Sequence, residues 1–118
     1  MVNPTTIVVK DGNGASQTVS TLDTLINGTT LTDKSGTITA GGSAQTLMAL
    51  NASRRGFYVQ NQSTGDLWIS SLGTAAATQP SLWLPPGAFY EPEAGGVPTA
   101  AISIFGATTG QAFAAREW

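Results

Sequence analysis

Glu91-Pro92-Glu93 is the closest this chain comes to a catalytic constellation. Glycoside hydrolysis uses two carboxyl groups roughly 5 to 9.5 Å apart, and side chains two residues apart in extended chain meet that spacing. The surroundings speak against it. Pro92 and the Ala-Gly-Gly that follows mark a loop, where two acids are ordinarily solvated. Histidine and cysteine are both absent, which removes the usual nucleophile–base pairs and most zinc sites. Asp11-x-Asn13 has the opening of a calcium loop, but the Glu that such loops need at their far end falls on Leu22. A hairpin turn explains the same residues. Gly106-Ala-Thr-Thr-Gly110-Gln111 lacks the spacing and the lysine of a phosphate cradle. The expectation is a protein with no reaction to catalyse, and with no cofactor or metal.

Composition narrows the partners. Among 118 residues the charged fraction is 10%, against about 25% in ordinary globular proteins, and Ser, Thr and 14 Gly supply the polarity instead. Turn-rich all-β chains have this texture, as do chains whose outer surface meets another protein. Five Lys and Arg spread from Lys10 to Arg116, with a net charge of −2, do not make the clustered basic face that nucleic acid requires. The longest apolar stretch, residues 97–107, contains Pro98 and Gly106 and falls short of the roughly 20 residues of a membrane span. Met1-Val2-Asn3-Pro4-Thr5 is neither basic nor apolar, so no export signal is expected there. The sequons at Asn27, Asn51 and Asn61 are accordingly expected to stay unmodified.

The elements that must carry any function read as strands. Thr5 to Lys10 is β-branched and runs into Asp11-Gly12-Asn13-Gly14, a hairpin signal, with a return strand at 15–19. Ser20 with Asp23 three residues on resembles a capping box for a short helix at 21–26, stopped by Asn27-Gly28. Residues 29–36 read as linker. From residue 37 the pattern predicts eight short strands, at 37–40, 44–50, 56–62, 66–71, 82–84, 88–91, 101–105 and 111–116. Even spacing without a helical period points to a small jelly-roll-like β-sandwich over 37–118, with residues 1–36 as an amino-terminal arm or hairpin module. A hairpin alone is marginal in water. It must dock either on its own sandwich or on a neighbouring subunit or larger assembly.

Alternation along these strands leaves an apolar surplus. Phe57, Val59, Leu67, Ile69, Leu82, Leu84, Ile102 and Ile104 fall on one side, and Tyr58, Trp68, Trp83 and Phe105 on the other. A strand in a sandwich has one inward face, so one of these rows faces out. Trp and Tyr are enriched where proteins meet. Tyr58, Trp68, Trp83 and Phe105 are therefore the candidate interface, the alternative being that they are scattered or that the arm at residues 1–36 covers them. The adjacent Arg54 and Arg55 join them, either as partners for another chain's acids or as solvated residues ahead of a strand.

The carboxyl-terminal two thirds also carries a likeness. Gly41-Gly42-Ser43-Ala44-Gln45, then Asn51-Ala52-Ser53-Arg54-Arg55-Gly56-Phe57-Tyr58-Val59-Gln60-Asn61, then Leu84-Pro85-Pro86-Gly87-Ala88-Phe89-Tyr90-Glu91, resembles small structural proteins of tailed-bacteriophage virions. The closing Gly95 to Ile104 and Gly106 to Phe113 fit the same type. The resemblance implies a non-enzymatic virion component assembled in the bacterial cytoplasm: a head decoration, cement or head-fibre protein, commonly a trimer bound to the major capsid protein. Two rivals stand beside it. One is a tail, baseplate or fibre module. The other is a carbohydrate-binding sandwich that stacks host glycan on Trp68, Trp83 and Tyr90.

Overall fold

The structure is a computed structural model that describes residues 7–10, 12, 16–19 and 30–118. The chain divides into two compact units, residues 1–30 and 31–118. In the first, β1 (Ile7–Lys10) and β2 (Ser16–Val19) pair antiparallel, Ile7 opposite Val19 and Lys10 opposite Ser16. This is the hairpin read from the β-branched run and its turn signal. The helix read at 21–26 lies outside the described residues.

The second unit is all-β. Its strands are β3 (Thr32–Asp33), β4 (Gly36–Thr37), β5 (Gln45–Met48), β6 (Phe57–Asn61), β7 (Leu67–Ser70), β8 (Leu82–Leu84), β9 (Phe89–Tyr90), β10 (Ile102–Gly106) and β11 (Ala112–Glu117). A first sheet runs β5-β10-β7-β8, and a second runs β3-β11-β6-β9 with β4 also on β11. From β4 to β11, only β7 and β8 are consecutive strands that pair with each other. Every other connection passes from one sheet to the other. Turn chemistry makes the crossings: Gly87 N donates to Asn61 O, and Ala88 N to Pro85 O, at the Pro85-Pro86-Gly87 step from β8 to β9.

Packing follows the alternation. Phe57 and Val59 of the second sheet face Leu67, Ile69, Leu84, Ile102 and Ile104 of the first, and all are buried. Ile38, Leu47, Met48, Phe113 and Ala115 complete the core. Full burial of each such side chain contributes about 1.5 to 3 kcal/mol. Two layers of alternating strands therefore suffice to hold this unit.

One boundary shifts. Residues 31–36 were expected to belong to the arm, yet β3 and β4 keep a single register on β11, from Thr32 opposite Glu117 to Thr37 opposite Ala112. Lys34 N bridges the gap between them by donating to Ala115 O at 2.8 Å. They act as one edge strand, and the sandwich begins at residue 31. Thr-Asp-Lys-Ser-Gly-Thr has no apolar alternation to announce a strand. Backbone pairing holds it instead, with an Asx turn in which Ser35 N donates to Asp33 Oδ1 at 2.9 Å.

Candidate functional site

The two ends of the sandwich differ. At one, Asn61 is wholly buried: its Nδ2 donates to Gly65 O and Leu84 O, and its Oδ1 accepts from Ser63 N and Oγ. Gln111 ties the neighbouring turns by donating to Asp66 O and accepting from Thr108 N. The sequon at Asn61 is therefore sealed in the fold. At the other end an apolar cleft of about 220 Å³ opens between the sheets, lined among others by Phe57, Ile69, Leu72, Leu82, Tyr90 and Ile102. Glu91 and Glu93 are exposed, and neither lines this cleft. No cluster of three or more metal-ligating side chains occurs among the described residues.

Arg54 is not at the surface. Its side chain is fully enclosed: Nε donates to Glu117 Oε2 at 2.7 Å, Nη1 to Pro98 O and Ala100 O, and Nη2 to Ala49 O. Lys34 Nζ lies 3.5 Å from Glu117 Oε1. Burial pushes the Glu117 carboxyl up, but the hydrogen bond and charge of Arg54, with Lys34, outweigh it and hold the pKa below the ordinary 4.5. Arg54 thus leaves the candidate interface. A guanidinium with three backbone carbonyls and a carboxylate to satisfy it is a clamp joining β11 to two loops. Arg55 is exposed, and its backbone N–H donates to Trp118 O.

The four candidate aromatics lie on the outward faces, but of different sheets. Phe105, Trp68 and Trp83 stand directly opposite one another across β10, β7 and β8 of the first sheet. The Trp68 and Trp83 rings are 6.2 Å apart and 26° from parallel. Trp83, on the edge strand, is 57% exposed. The next row on the same face is Thr46, Ser103 and Ser70, also in register. The loop after β7 folds over that serine row: Leu72 N donates to Ser70 Oγ, and Ala75, buried, donates its N–H to Ser103 Oγ at 2.9 Å. The loop thus caps Ser70 and Ser103, while Trp68 and Phe105 are half-buried and Trp83 is exposed.

Tyr58 belongs to the second sheet, where it is enclosed by its own neighbours. Arg116, directly across on β11, holds its guanidinium 5.8 Å from the ring centroid. Phe89 lies 5.4 Å away on one side and Trp118 6.2 Å on another. Trp118 reaches this position because residue 56 is glycine; a β-carbon there would collide with the indole. Mutual bonds between Gly56 and Trp118 backbones fix the pair. Trp118 and Phe89 were not among the sequence candidates. The alternation of Phe89 with the inward Tyr90 was the available signal for one; nothing local marks the other. Tyr90 packs on the core, 6.0 Å from Phe57, and presents no outward platform.

No family model, curated protein or solved structure matches the chain.

Proposed function

We propose that the chain is a non-enzymatic structural protein of a tailed-phage virion, a decoration, cement or head-fibre protein that self-associates and binds the phage head. The observation that carries this reading is the outward row Phe105–Trp68–Trp83, half-buried at its first two members and exposed at Trp83, beside serines that the chain's own loop covers. An exposed tryptophan at the end of a continuous row of half-buried aromatics suits burial by another protein surface better than lasting contact with water. The resemblance of residues 37–118 to virion proteins supplies the setting, and the hairpin in residues 1–30 is a ready tether to the particle.

The inward placement of Tyr90 removes one of three platforms from the sugar-binding rival. A test separates the readings. The chain is added to particles of the phage that encodes it, and bound density is located by image reconstruction. Regular density on the head is the expected result. Density confined to the tail makes it a tail or fibre module, and absence from the particle overturns the proposal. Removal of residues 1–30 is expected to abolish particle binding.

A further inference from the structure

We propose that the chain pairs with a second copy of itself through the outer edge of β8, about a two-fold axis at Trp83. This rests on the self-association argued above and specifies its geometry. A two-fold contact needs a surface complementary to itself. β8 reads Leu82-Trp83-Leu84, the same in both directions, and among the described residues its only sheet neighbour is β7. Antiparallel pairing centred on Trp83 sets Trp83 against Trp83 and Leu82 against Leu84 of the second copy. The row Phe105–Trp68–Trp83 then continues unbroken into the same row of the partner, and the half-exposed Leu82 at the mouth of the end cleft is covered.

Charge permits this edge and disfavours the alternative. No charged residue occurs from Leu67 to Tyr90, so this segment sets no like charges of its own against one another across a two-fold axis. The β3–β4 edge carries Asp33 and Lys34, the kind of residues that keep edges from self-pairing. Pro80 and Pro85 flank β8 and confine the pairing to one short register. A contact of this kind closes at two copies, in place of the threefold that the resemblance implies.

Position 83 facing itself gives a diagnostic experiment. Wild type, Trp83→Lys and Trp83→Glu are compared by sedimentation equilibrium, with thermal unfolding as the check that each variant remains folded. Like charges directly opposite destabilise a strand pair and opposite charges support it. Wild type is expected at the mass of two chains, and each variant alone at the mass of one. An equimolar mixture of the two is expected to associate at least about tenfold more tightly than either, equivalent to roughly 1.4 kcal/mol. A mixture no tighter than its components, while Trp68→Ala still weakens wild-type association, overturns the β8 pairing and leaves the self-association reading standing. Wild type that stays monomeric overturns both. Because the chain has no cysteine, Trp83→Cys adds a second readout. A short thiol-to-thiol linker is expected to trap a covalent pair, and its failure to do so in an associating sample counts against the axis.

Discussion

The outward faces of the two sheets carry similar aromatic content and dispose of it differently. On the second sheet, Tyr58 is flanked by Arg116, Phe89 and Trp118, so its ring finds contacts within the same chain, although Phe89 itself stays 54% exposed. On the first, Trp68 has Trp83 at its side, and Trp83, on the strand at the end of the sheet, is 57% exposed. The loop after β7, which has the reach to lie on this sheet, settles on the serines instead. An aromatic on the outside of a sandwich is therefore not by itself a sign of a partner. What matters is whether neighbouring side chains already close around it.

That contrast can be broken at three strengths. The largest effect belongs to the clamp under the second sheet. Arg54→Ala leaves Glu117 buried with only Lys34 beside it, and loss of one partner of a buried pair costs about 3 to 5 kcal/mol. Urea unfolding measures it. The same pair sets an acid limit. Because the Glu117 pKa lies below its ordinary 4.5 in the folded protein, its contribution is whole above that ordinary value. It is lost as pH falls through the lower folded value, where the carboxylate takes up a proton. Glu117→Gln should flatten the stability–pH slope in that acid range, and an unchanged slope would mean that other carboxylates govern it.

Next in size, Trp68→Ala and Trp83→Ala are expected to weaken self-association by about 2 to 4 kcal/mol if the row is the hot spot, at unaltered secondary structure. Identical sedimentation of both variants and wild type would remove the distinction between the two faces. The smallest effect is expected at Tyr58. Tyr58→Ala removes ring contacts worth about 1 kcal/mol from the stability of the subunit, while its association stays at the wild-type level. Weakened association there would show that the second sheet is part of the contact.

Much of this was legible from residue types. Leu82–Leu84 coincides with its strand as read, and alternation along β6, β7 and β10 separated the buried aliphatics from the outward aromatics, because a pleated strand has a strict period of two. Alternation does not say which sheet a strand joins. Tyr58 was therefore grouped with residues from the opposite layer. The β3–β4 edge was missed because pairing through backbone alone leaves no hydrophobic trace. Arg54 was misplaced for a related reason: adjacent arginines look solvated, and the carbonyls that satisfy one of them come from residues 49, 98 and 100, remote in the sequence.

The order of the strands bears on how the sandwich comes into being. β11 lies at the centre of the second sheet, between the β3–β4 edge and β6, although it is the last strand along the chain. Neither of its neighbours can be joined until residues 112–117 have been synthesised, so maturation must await them. Non-local pairings of this kind place folding in the millisecond-to-second range. Until then the uncharged segment 67–90 is without its cover, and nascent chains would be most prone to clump during that interval.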